Sequence, residues 1–171
     1  DSNYFVRAAA VMEIGNLCEY TRGADPRPLW ASQDFCASEF VRKTLEAALN
    51  EPYEHVRYSA ALAAGKTLDP GWKEKLIAAM QKENGRPVQI AICGSLVRLG
   101  ERNYSKCLVD AASDPDENIR GISAQTLAYA GDKESDKTLE RMAKTDSSDN
   151  VRQIAVFSLK MKKGASFRSD K

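Results

Sequence analysis

Large apolar residues return along this chain in step. Val56, Val88, Ile119 and Val151 lie 32, 31 and 32 residues apart, and Val6 precedes the first of them by 50. Each opens a run of small residues. Eight positions after each anchor comes a second large aliphatic (Ile14, Leu96, Leu127, Leu159), with Ala64 as the exception. A second column, Leu45, Leu76, Leu108 and Leu139, keeps the same clock at intervals of 31, 32 and 31. A fixed period between about 20 and 50 residues marks a repeat architecture. Apolar positions four apart, as in Val41, Leu45 and Leu49, give each segment one helical stripe. The pattern therefore predicts repeated pairs of helices. The leucine column marks the first helix of each pair and the Val/Ile column the second.

Residues 1–15 read as a second-type helix with Asn3 as its N-cap and no first-type partner. An uncapped solenoid end exposes an apolar face, so further sequence upstream is expected and Asp1 reads as an artificial or processing boundary. Residues 16–33 break the period. Gly23, Pro26 and Pro28 exclude a continuous helix there, while Leu29 and Trp30 are too apolar for a free linker. That pair is expected either to dock on a partner or to cover the open end of the first repeat. Four repeats follow over 34–68, 69–100, 101–131 and 132–163, with Asp69-Pro70, Asn84-Gly85 and Asp114-Pro115 at turns. Residues 164–171 read as a polar tail.

The second-type helices carry VRAAAVMEIG at 6–15, VRYSAALAAG at 56–65, IRGISAQTLAYAGD at 119–132 and VRQIAVFSL at 151–159. These resemble the short HEAT-like repeats of bacterial and archaeal alpha-solenoids, whose pattern runs D…VRxxAAxALGxIGD. The repeat at 88–100 departs from the pattern, with Gln89 where arginine is wanted. The resemblance covers nearly all of the chain outside 16–33 and the tail. It implies an all-α, right-handed alpha-alpha superhelix of the HEAT/armadillo-like kind, about four and a half helical pairs long, with second-type helices lining the concave face. It says little about activity, because such repeats serve as scaffolds, enzyme-associated subunits and nucleic-acid binders alike.

Composition adds mainly exclusions. A formal net charge of +1 favours neither a nucleic acid nor a membrane surface. No apolar run reaches the length of a membrane span, and no signal peptide is legible. The cysteines at 18, 36, 93 and 107 form no CxxC pair, which argues against zinc. Cys93 falls at a small-residue core position and reads as a buried, inert thiol. Cys18 and Cys36 bracket the insertion, as free thiols in a reducing compartment or as a bridge if the protein is exported. The reducing cytoplasm is favoured over an exported or periplasmic setting. His55 stands alone, with no ligand set around it, and neither a phosphate loop nor a nucleophile elbow is present. The chain reads as a non-enzyme without cofactor or metal.

Arg7, Arg57, Arg120 and Arg152 each follow an anchor by one residue. Asp1, Glu51, Glu83, Asp114 and Asp146 each precede one by five. Charges recurring once per repeat with their counter-charges predict ion pairs within or between repeats, weakened beside Glu83 by Gln89. Positions two, six and ten after each anchor are expected on the inner face. There Tyr58, Leu62, Ile90, Tyr129, Phe157 and Met161, with Met12, make an intermittent apolar track, and Lys66 and Arg98 are the only charges. Aromatics and methionines among small polar residues are the composition of interface cores. The resulting expectation is a scaffold or adaptor binding a protein or peptide there, in a longer chain or a complex. Tyr58, Ile90 and Tyr129 would be its anchors, with Arg98 and Lys66 orienting from the rim. A HEAT-like subunit of an enzyme complex, as in the bilin lyases, is the alternative. A nucleic-acid groove needs rows of lysine and arginine that the track lacks, leaving only Lys160, Lys162, Lys163 and Arg168.

Overall fold

The structure, a computed structural model, describes residues 3–20 and 33–166. Leu29, Trp30 and Arg168 lie outside them. Among the described residues every regular element is helical. First-type helices are α3 (Glu39–Leu49), α5 (Trp72–Met80), α7 (Ser105–Ala111) and α9 (Lys133–Thr145). Second-type helices are α1 (Tyr4–Tyr20), α4 (Glu54–Thr67), α6 (Arg86–Arg98), α8 (Glu117–Leu127) and α10 (Asp149–Ser166). A short α2 (Gln33–Cys36) precedes α3, and one 3-10 turn (Arg102–Tyr104) leads into α7. Each first-type helix packs on the second-type helix that follows it, and the second-type helices pack on one another in chain order. This is an alpha-solenoid.

Local signals fix the ends. Ser38, Asp116 and Asp132 cap α3, α8 and α9 by accepting hydrogen bonds from the backbone N–H of Val41, Asn118 and Ser135. The end of α6 turns at Gly100, whose φ of 95° needs a residue without a β-carbon. The Glu101 N–H then closes back on the Leu96 carbonyl at 2.9 Å.

Both apolar columns point inward. Leu45, Leu76, Leu108 and Leu139 are fully buried, and so are Val56, Val88, Leu127 and Val151. Val6 is the exception at 67% exposed, because no first-type helix among the described residues lies over α1 to receive it. The core forms two apolar clusters that meet along α6.

The second-type helices approach one another through small residues. A β-carbon built on Gly15 would stand 2.6 Å from Ala63 Cα, and one on Gly65 or Gly94 would stand 2.5 Å from Ser95 Oγ or Thr126 Cγ2. Ser95 also donates from its hydroxyl to the Ala61 carbonyl at 2.7 Å, tying α6 to α4. The first-type layer is looser, and a cleft of about 700 Å³ opens between α3 and α5. Helices drawn together in one layer and apart in the other curve the stack, with the second-type helices on the inside.

Two boundaries and the state of the cysteines differ from the sequence expectation. Helix α1 continues past Gly15 to Tyr20, since Asn16 to Tyr20 contains neither glycine nor proline to stop it. Helix α10 runs through Ser166, so 164–166 is helix and not tail. The cysteines differ more. Cys18 is bonded to Cys36, joining α1 to α2, and Cys93 is bonded to Cys107, joining α6 to α7. Cys93 is therefore not a free thiol. Its neighbour is 14 positions away in sequence but sits at the start of the next helix, a pairing that helical periodicity alone does not reveal.

Substituting Gly94→Ala should cost about 1–3 kcal/mol by forcing Thr126 and its helix aside. Adding Thr126→Ala should recover part of that loss. Denaturant melts in which Gly94→Ala matches the parent would show that α6 and α8 are not held this close.

Candidate functional site

Arg57 and Arg120 each reach in two directions. Backward, Arg57 Nη1 donates to the Glu51 and Pro52 carbonyls at 2.8 Å, and Arg120 Nη1 to those of Asp114 and Pro115 at 2.9 and 3.1 Å. Arg152 likewise bonds the Asp146 carbonyl. Forward, three of the repeat arginines grip the acid of the next repeat. Arg7 holds Glu51 at 3.0 and 3.2 Å, Arg57 holds Glu83 at 2.7 and 3.0 Å, and Arg120 holds Asp146 at 2.9 and 3.0 Å. Such paired N–H bonds to a carboxylate are the stronger and more directional kind of ion pair.

The weak rung lies one step beyond the expected place. Gln89 keeps the backward bond, donating to the Glu83 carbonyl at 2.8 Å, but cannot reach forward. Glu83 is served by Arg57 from the repeat before, so the acid deprived is Asp114. Among the described bases only Arg86 pairs with it, Nε at 3.5 Å, and the Asp116 N–H donates to its Oδ1 at 2.9 Å.

On the inner face the three columns separate. Ala8, Ile90 and Gly121 in the first column are buried, and Ile90 is 0% exposed. Ile90 is therefore a core residue and cannot be an anchor. Helix α6 is apolar nearly all round, and α4 and α8 close over it at Gly65 and Gly94. Leu62 is half-buried against the N-terminal core cluster. Tyr58 remains half-buried at the surface.

Surface opens toward the last repeat. Tyr129, Gln125, Gln153, Phe157 and Met161 line a groove of about 680 Å³ with Lys66 at one end. Phe157 is 63% and Met161 44% exposed. The groove continues at Gln125, Asn150 and Ile154 into a branch of about 370 Å³ that holds Tyr58, His55, Glu54 and Glu117. Of the expected partner-binding residues, the structure thus brings Tyr58, Tyr129, Phe157 and Met161 onto one continuous track.

Arg98 is not a rim residue. Its side chain is 11% exposed and lies beneath Tyr129, with the guanidinium carbon 3.9 Å from the ring centroid. Glu19 near the end of α1 receives it. Arg98 Nη2 donates to Glu19 Oε1 at 2.9 Å, Lys66 Nζ stands 3.2 Å from Glu19 Oε2, and the Tyr129 hydroxyl is 3.5 Å from Oε1. Burial pushes the Glu19 carboxyl up, but Arg98 and Lys66 together hold it below its ordinary range. Glu19 thereby clasps α1 to α4, α6 and α8, a reach that only a tightly curved inner layer permits. Sequence reasoning missed it because the residue falls where the helix was expected to have ended.

The remaining chemistry is quiet. His55 packs its ring near Tyr4 and Phe5, at 5.9 and 5.6 Å between centroids. The Cys93 and Cys107 sulfurs are bonded to each other and unavailable as nucleophiles. Among the described residues no group of three or more His, Cys, Asp and Glu side chains is placed to hold a metal. No described helix is long and apolar enough to cross a membrane. Lys162, in the basic cluster near the end, is bound to Asp136 and the Ala130 carbonyl.

Two outcomes follow for the ladder. Arg57 and Arg120, each by a hydrogen bond stronger than the opposing burial, hold Glu83 and Asp146 below the usual carboxylate range. Because the folded values are lowered, this stability is complete above the unfolded carboxylate value of about 4 and is lost as pH falls through the folded values. Denaturant midpoints should hold steady down to about pH 5 and then fall, less steeply in Arg120→Ala, whose Asp146 has lost its partner. Separately, Gln89→Arg should complete the rung to Asp114 and stabilise by about 0.5–1 kcal/mol; a neutral or destabilising result would mean that Arg86 already serves that acid.

A comparison of the chain with protein-family models matches residues 73–160 to a family described as HEAT repeats, just over half of the chain. No curated protein matches it.

Proposed function

Since this chain belongs to the HEAT-repeat family, we propose that it is a non-catalytic interaction module whose concave face holds a segment of a partner protein. HEAT repeats commonly mediate protein interaction. The observation that carries the reading for this chain is the inner groove. It leaves Phe157 and Met161 in water on a face where a solvated helix would present charge. Gln125, Asn150 and Gln153 beside them offer amide donors and acceptors suited to a peptide backbone.

The larger cleft between α3 and α5 is a poorer candidate. Much of its charge is closed on itself, Lys75 with Glu46 and Arg57 with Glu83, although Lys82 and Glu54 also border it. A nucleic acid fits the inner face badly, because Lys66 and Arg98 are both engaged by Glu19. The two disulfides favour an oxidising compartment over the reducing cytoplasm that free thiols would suit.

Phe157→Ser with Met161→Ser should leave thermal stability within about 0.5 kcal/mol, since both side chains are exposed. The same pair should weaken a partner recovered by cross-linking to the parent protein by at least about 2 kcal/mol. Unchanged affinity in the folded double variant would move the binding site elsewhere.

A further inference from the structure

The ends of the inner track differ in charge. At one end Lys66 and Arg98 share Glu19, and Lys66 also donates to Asn16 at 2.6 Å, so the charges of both bases are paired within the fold, while the buried Arg98 Nε has no hydrogen-bond partner among the described residues. At the other end Glu54 and Glu117 both line the branch beside Tyr58 and Ile122. Neither forms an ion pair within 4.0 Å among the described residues. Arg57 and Arg120 feel their charge but are bonded to Glu83 and Asp146 instead. Each glutamate opens its helix, where the helix dipole favours a carboxylate. That preference accounts for the residue type, yet not for two such groups bordering one cleft whose lining holds no lysine or arginine, with Glu54 also bordering the cleft between α3 and α5. His55, the imidazole on that wall, is tilted against Tyr4 and edge-on to Phe5.

From α4 to α10 the track therefore presents two unneutralised carboxylates, then Ile122 and Ile154 flanked by the amides of Gln125 and Asn150, then Phe157 and Met161. An apolar or acidic occupant would desolvate Glu54 and Glu117 without return, a cost that a lysine or arginine offsets. We infer that the groove takes a peptide segment of a partner protein carrying a basic side chain beside aliphatic or aromatic ones. The base sits between Glu54 and Glu117, and the apolar side chains lie on Ile154, Phe157 and Met161. This rests on the reading of the inner face as a protein-binding surface and assigns the chemistry of its occupant. Binding of this kind is steered by charge and falls with added salt.

The test is selection from a random-peptide display library against the parent chain, with the selected peptides then measured against two variants whose melting curves match the parent. The first variant is Glu54→Gln with Glu117→Gln, and the second is Phe157→Ser. Expected are peptides pairing Lys or Arg with Leu, Ile, Phe or Trp, weakened about tenfold or more by either variant and by raised salt. Acidic or uncharged peptides lost only on Phe157→Ser would overturn the assigned chemistry and leave the groove standing. Peptides indifferent to both variants, or no enrichment at all, would overturn groove and chemistry together. A concentration-dependent dimer of the parent chain that the glutamine variant abolishes would replace the peptide with a second copy of the chain.

Discussion

The closeness of the second-type helices is the constraint on which the rest of this structure depends. It is set by a few small side chains, Gly15 against Ala63, Gly65 against Ser95 and Gly94 against Thr126. Packed interiors tolerate little change in volume, so a single added methyl group at such a contact must displace a whole helix. Because the first-type helices are not drawn together in the same way, the stack bends around its second-type layer. The curvature in turn lets Glu19 on the first helix meet Arg98 and Tyr129 two and three helices further along that layer.

The charged ladder works beside this contact in a different register. Arg57 and Arg120 satisfy the carbonyls of their own inter-helix turns and the carboxylate of the next turn, so they fix both the geometry within a repeat and the distance between repeats. One exposed ion pair contributes only about 0–1 kcal/mol. These pairs are two-pronged and partly buried, and Asp146 is nearly covered, which is where charge-assisted bonds gain strength. Their direction is informative. An arginine missing from one repeat weakens the acid of the following repeat, as Gln89 and Asp114 show.

Tight packing also decides which part of the inner face stays open. Helix α6, at the centre, is swallowed by its neighbours and offers almost nothing to the inner surface. The last repeat has no further described helix over it, so Phe157 and Met161 stay open, and the polar amides of α8 and α10 frame them. The usable surface is thus displaced toward one end and one edge of the solenoid. There a basic end whose charges are paired with Glu19 faces an acidic end without an ion pair among the described residues.

The sequence alone determined the helical pairs, their register and both buried columns, because an apolar stripe repeated every 31 or 32 residues can be buried only by stacking like on like. It also carried the Arg and acid columns, since complementary charges recurring at fixed offsets must meet in a regular stack. Only tertiary structure decided the lateral approach of the second-type helices, which depends on which glycine faces which neighbour. That approach buried Ile90, placed Arg98 under Tyr129 and made Glu19 a clasp, none of which a one-helix periodicity contains. The disulfides were likewise beyond the pattern. Cys93 reads as core by its position in α6, and its bond to Cys107 exists because the next helix returns across it. Periodicity tells which face of a helix is inside; how closely the next helix comes is a property of the pair.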